Sequence, residues 1–94
     1  VLLYLVKHVH TPERCPAVND EVAGTFGKMM QEEHREAVGV TVVGCWADVP
    51  GHTVYFIIDA ESPFKVQKFL VPALGVGTAE TTPVIDIQEA MQLV

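Results

Sequence analysis

The sequence predicts a single α+β domain whose main elements run β-α-β-β-α-β, followed by a short C-terminal helix. Three observations predict it. Runs of strand-forming residues alternate with stretches of helical periodicity, and Pro and Gly punctuate the junctions. The 94 residues suit one domain, residues 1–94. Hydrophobic residues make up 49% and charged residues 19%, a globular balance opposite to that of disordered chains.

The first strand is expected over Leu2–His10, where Leu, Tyr and Val suit a pleated sheet. Alternation puts Leu3, Leu5, Lys7 and Val9 on one face and Tyr4, Val6, His8 and His10 on the other. Thr11-Pro12 ends the strand and can start a short helical turn, which Pro16 separates from the first main helix. That helix is expected from Ala17 to Ala37, with Val18, Val22, Phe26, Met29, Met30 and Ala37 at helical spacing. Gly39 then stops it. Strands two and three, Val40–Ala47 and His52–Asp59, flank Asp48-Val49-Pro50-Gly51 and should form an antiparallel hairpin. Ser62 is a good N-cap for the second main helix, with Pro63 in its first position and Pro72 at its end. Strand four is expected over Thr78–Ile85. Pro83 cannot donate a ladder hydrogen bond, so this strand belongs at an edge. Asp86 begins the final helix, which should turn Ile87, Ala90 and Met91 inward.

The formal net charge is -6, and the six Lys and Arg residues are scattered. No cluster of them can neutralise several phosphates, which argues against nucleic acid and anionic membranes as partners. The apolar run Val1–Val6 ends at Lys7 and is too short to span a bilayer, and it lacks the basic leader and small-residue cleavage site of an export signal, so a cytoplasmic location is expected. The two cysteines, Cys15 and Cys45, form no disulfide framework and no CxxC motif.

Two helices cover one face of a four-stranded sheet. The second face should then be polar, yet both faces of the central strands read as apolar, with Val54, Phe56 and Ile58 against Tyr55 and Ile57 in strand three. A homodimer that buries the second face is therefore expected. The opening Leu3-Tyr4-Leu5-Val6, the Gly39-Val40 step into strand two and the closing Thr82-Pro83-Val84-Ile85-Asp86 resemble small, poorly characterised proteins of the dimeric α/β-barrel superfamily. The resemblance spans nearly the whole chain as architecture. It implies a ferredoxin-like βαββαβ sandwich, with a four-stranded antiparallel sheet and both main helices on one face, closing with a second copy into a barrel. Some relatives are described as nickel-responsive or metal-binding; others in the superfamily are isomerases or cofactor-free monooxygenases.

His8 and His10 stand two apart on one strand and leave the same face, a spacing that lets two imidazoles meet one metal. Cys15, folded back by the Thr11-Pro12 turn, is the expected third ligand. A His and Cys donor set suits nickel, zinc or copper rather than magnesium or calcium. Hydrogen-bonded packing at the mouth of the sheet accounts for the two histidines without any ion. Tyr4, His8, His10, Trp46 and Tyr55 can alternatively line a small-molecule cavity, since such sites combine apolar rings with a few polar tips. Ordinary packing accounts for Trp46 and Tyr55 equally well. His34, among Glu32, Glu33 and Glu36, reads as solvated helix surface, and His52 as the end of a strand. No Walker or Rossmann glycine loop and no nucleophile elbow is present.

The readings are thus a non-enzymatic binding or sensing protein for a divalent transition metal, a small-molecule enzyme of the isomerase or cofactor-free monooxygenase kind, and a structural dimerisation module.

Overall fold

In a computed structural model, which describes residues 2–94, four antiparallel strands form one sheet in the order β2-β3-β1-β4. The strands are β1 (Leu3–His10), β2 (Thr41–Asp48), β3 (Thr53–Asp59) and β4 (Gly77–Val84). The helices are α1 (Asp20–Met29), α2 (Glu32–Val38), α3 (Pro63–Leu70) and the short α4 (Ile87–Ala90). Strands β1 and β3 are central, and the Pro83-bearing β4 lies at an edge. Part of the expected apolar run, Val1, lies outside the described residues.

The alternation in β1 decides which face carries the core. Tyr4, Val6, His8 and His10 are buried, whereas Leu5, Lys7 and Val9 are exposed. Val6 meets Phe56 and Thr81 across the sheet, and the core closes over Val54, Phe56 and Ile58 with Met29, Val66, Phe69 and Leu70 from the helices. Phe56 and Phe69 meet edge to face with ring centroids 6.0 Å apart. Burying each such ring stabilises the fold by roughly 1.5–3 kcal/mol.

The first helical connection is not the single helix expected over Ala17–Ala37. It starts at Asp20, because Asn19 caps it: the Val22 amide donates to Asn19 Oδ1 at 3.1 Å. It breaks at Gln31, whose extended backbone (φ -70, ψ 145) ends the first segment and starts α2 in a new direction. The redirected α2 lets His34 Nε2 donate to the Phe69 carbonyl at 2.9 Å, so His34 ties two helices together instead of facing water alone. Gly39 ends α2 in the left-handed conformation (φ 84), where a side chain would be strained. Ser62 caps α3 as expected, its Oγ accepting from the Lys65 amide at 3.4 Å. The inward stripe expected of the last helix is absent: Ile87 and Met91 are exposed.

The barrel expected from the family resemblance is overturned. The sheet is open, with β2 and β4 as unjoined edges, so the architecture is an open ferredoxin-like sandwich and not a dimeric α/β barrel. The expectation of a homodimer closing that barrel loses its ground with it. The uncovered face is also less uniformly apolar than expected. Leu5, Val9, Tyr55 and Ile57 lie there, but register places Thr78, Glu80 and Thr82 of β4 opposite Val9, Lys7 and Leu5.

A bulge between Val42 and Gly44 changes the side-chain parity of β2. Val42 faces Ile58 on the helix-covered side, yet beyond the bulge it is Cys45 and Ala47 that face Phe56 and Val54 there. Trp46, which unbroken alternation along β2 would put on the same face as Val42, is turned to the open side beside Tyr55 and stays largely exposed. Its ring lies over Gly44, where a Cβ would collide with the indole. Among the described residues no helix is long and apolar enough to cross a membrane.

Candidate metal centre

Three sequence segments converge at the end of β1. The antiparallel register of β1 and β3 sets Val9 opposite Thr53, which brings His10 beside His52. The His10 amide donates to the His52 carbonyl at 3.0 Å. His52 closes the turn from β2 to β3: its amide donates to the Val49 carbonyl at 3.1 Å, while Asp48 Oδ1 accepts from the Gly51 amide at 3.1 Å. This histidine has φ 50, the single non-glycine positive φ among the described residues. Left-handed backbone at a side-chain-bearing residue costs of order 1 kcal/mol and concentrates at functional sites.

Cys15 arrives through a tight helical turn over Pro12–Arg14. The Arg14 amide donates to Thr11 at 3.0 Å and the Cys15 amide to Pro12 at 3.2 Å. The Cys15 carbonyl then accepts from the Val18 and Asn19 amides, at 3.0 and 2.9 Å. Asn19 Nδ2 also donates to the Glu13 carbonyl at 3.1 Å, which pins the turn to the start of α1.

The outcome is a His10, Cys15 and His52 cluster whose donor atoms all lie within 4.8 Å of one another. His10 and Cys15 are buried and His52 is half-buried. Around a tetrahedral zinc, with bonds of about 2.0–2.3 Å, nitrogen and sulfur donors stand about 3.3–3.6 Å apart. Side-chain adjustments of about 1 Å thus bring the three onto one ion. Neither ring nitrogen of His10 has a hydrogen-bond partner, and His52 Nδ1 has none either. A buried polar atom left unpaired costs roughly 1–3 kcal/mol, and a metal ion takes up an imidazole lone pair directly.

Burial holds the His8 and His10 pKa values below the ordinary 6.5, and for His10 the neighbouring His8 and His52 add to the depression. Both imidazoles are therefore neutral near pH 7, the form that binds metals. The same shifts fix a pH dependence. Below 6.5 the unfolded chain takes up protons that the folded chain refuses. The stability these groups provide is fully present above 6.5 and is lost as pH falls toward the depressed folded values. In metal-free protein the urea midpoint should drop between about pH 7.5 and 5.5; a flat or rising midpoint would contradict the burial argument.

The metal ligands expected from the sequence divide into two groups. His10 and Cys15 lie in the cluster. His8 lies beside it, with its ring centroid 6.0 Å from that of His10, but outside the donor set. Its Nε2 donates to the Ala73 carbonyl at 3.3 Å, and its ring meets the edge of Phe26 with centroids 5.3 Å apart. His8 is thus placed as a packed core histidine. The third member, His52, reads in the sequence only as a strand end. The signal that reveals it is the antiparallel pairing of β1 with β3, which sets the end of one strand against the start of the other.

Tyr4, His8, His10, Trp46 and Tyr55 do not line one cavity. The first three face the helices, and Trp46 and Tyr55 face the open side. A groove of about 850 Å³ runs between α3 and β4 along Phe64, Val71, Leu74 and Ala79, and no histidine lines it. Both cysteines are free thiols, and Cys45 is exposed on β2, away from the cluster.

A family model described as "Domain of unknown function (DUF3303)" matches residues 3–94 of the chain. No curated protein and no solved structure matches the chain.

Proposed function

Since the chain belongs to the DUF3303 family, whose description assigns no activity, we propose from the site itself that the protein binds a transition metal through His10, Cys15 and His52. One observation carries this reading: three metal-ligating side chains from separate segments converge while the buried imidazole nitrogens of His10 lack any other partner. Two nitrogens and one sulfur suit nickel, zinc or copper, whose borderline or soft character matches imidazole and thiolate. They suit magnesium and calcium poorly, since those ions take oxygen ligands.

The role is binding or sensing and not catalysis. The turn bearing Cys15 and the hairpin bearing His52 are surface connections, and an ion shared between them and β1 would fix all three together. The enzyme reading, as isomerase or cofactor-free monooxygenase, would be favoured by a deep pocket walled by His8 or His10. The cavity at His10 is about 60 Å³, too small for an organic substrate of several rings or carbons. A free thiol among the ligands fits a reducing compartment such as the cytoplasm.

The test is elemental analysis of untagged protein, followed by calorimetric titration with zinc and nickel. One ion per chain is expected for the wild type, with stoichiometric binding abolished in the His10→Ala, His52→Ala double variant. Absence of stoichiometric metal, or equal binding by the double variant, would end the proposal.

A further inference from the structure

Resting on that metal reading, we propose that the centre keeps a fourth coordination position open and that this position takes one small monodentate ligand, a water or a compact anion of azide size. Among the described residues the donor set stops at three: no fourth His, Cys, Asp or Glu joins His10, Cys15 and His52. Zinc sites with a structural role are closed by four protein ligands, whereas three protein ligands leave a position for an exogenous one.

The structure provides the space for it. A cavity of about 60 Å³ borders His10 and Cys15 and is walled by Ala17, Ala47, Val49 and Val54. A water takes up about 30 Å³ of liquid volume, so one water or a three-atom anion fits and an amino acid does not. Apart from the ligands the walls are mostly apolar, and the two polar members, Thr53 and Asp48, hydrogen-bond to Gly51 within the hairpin turn. The walls select by size.

Two neighbouring groups that could close the site stand apart from it. His8 Nε2 is turned to the Ala73 carbonyl, and its unpaired Nδ1 lies outside the cluster of donor atoms. Asp48 also borders the cavity, but its carboxylate accepts from the Gly51 amide and holds the hairpin turn. Charge favours an anion at the open position. Two neutral imidazoles and one thiolate leave a divalent ion with one residual positive charge, in a pocket of low polarity where that charge is poorly screened.

Cobalt(II) reports the binding and the open position separately. Its thiolate charge-transfer band shows that Cys15 is bound, and its visible d–d bands report coordination geometry. Adding azide to the cobalt-loaded protein should shift the d–d bands and saturate at one azide per ion, with the thiolate band retained. Filling the cavity with Ala47→Leu should keep the thiolate band and weaken azide binding at least tenfold. Asp48→Asn should leave the azide-free spectrum unchanged. An azide-inert d–d spectrum with an intact thiolate band would overturn the open position and leave the metal reading standing. An altered azide-free spectrum in Asp48→Asn would do the same, by assigning the fourth position to that carboxylate. Failure of the wild type to develop any thiolate band would overturn both. Should Ala47→Leu not fold, the wild-type azide titration and Asp48→Asn decide the matter.

Discussion

Replacing His52 with glycine should lower metal affinity at least about 100-fold, since even changes outside the ligand shell cost 10–100-fold. The same change should leave the metal-free protein within about 1 kcal/mol of wild type, because two backbone effects of similar size oppose each other. His52 holds φ 50, a conformation that glycine adopts freely, so the substitution relieves strain. Glycine also gains unfolded-state freedom, which destabilises the fold by a comparable amount. Loss of a ligand has no such compensation. A 100-fold loss of affinity corresponds to about 2.7 kcal/mol, so a separation between variant and wild type should appear in thermal melts only with excess zinc present. Equal melting of both proteins with zinc would remove His52 from the centre. A large loss of stability without metal would mean that the imidazole serves the fold instead.

Truncating Phe69 to alanine should destabilise the protein by about 3–5 kcal/mol, the range for a large aromatic removed from a packed core. Phe69 is completely buried and packs edge to face on the equally buried Phe56. Its backbone carbonyl accepts a hydrogen bond from His34 Nε2, and the His34 ring sits with its centroid 5.3 Å from the Phe69 ring. Removing the ring therefore opens a cavity where the sheet, α2 and α3 meet. Total stabilities of small domains run about 5–15 kcal/mol, so the variant should be close to unfolding at 37 °C. A double-mutant cycle with Phe56→Ala should return a coupling of about 0.5–1.5 kcal/mol from the ring contact. A urea-derived loss below about 1.5 kcal/mol for Phe69→Ala would show that the two layers are not held together at this point.

Much of the fold is legible in the sequence because the chain repeats simple signals. The alternation of Tyr4, Val6, His8 and His10 against Leu5, Lys7 and Val9 separates the two faces of β1, and the structure buries the first set. Pro83 marks the edge strand, and Ser62-Pro63 marks the start of α3. The features that escape are those that alternation and periodicity pass over. The bulge at Val42/Gly44 is signalled only by a glycine inside the strand, yet it reverses the faces beyond it, so simple alternation groups Trp46 with the wrong neighbours. The break at Gln31 is likewise set by tertiary contacts and not by local propensity, since Met29 is fully buried and α2 redirects to α3.

The candidate centre is half legible for a related reason. Local spacing exposes His10 and Cys15, because both lie around one turn. It also favours His8, which strand parity puts on the correct face but which a hydrogen bond to Ala73 engages elsewhere. His52 is 42 positions from His10 and becomes visible only when the register of two non-consecutive strands is known.

The strand order carries a consequence for how the chain assembles in time. Strand β1 lies between β3 and β4, so its outer neighbour comes from residues 77–84, close to the end of the 94. Contacts over such separations are formed slowly, since a long segment must first be closed. The β2–β3 hairpin is local, and every donor of the cluster has left the ribosome once residue 52 has emerged. During synthesis, then, the cluster's three donors are all outside the ribosome before the strand that completes the sheet has emerged. An ion captured at that stage would clasp β1 to the hairpin while the other flank of β1 still awaits its partner.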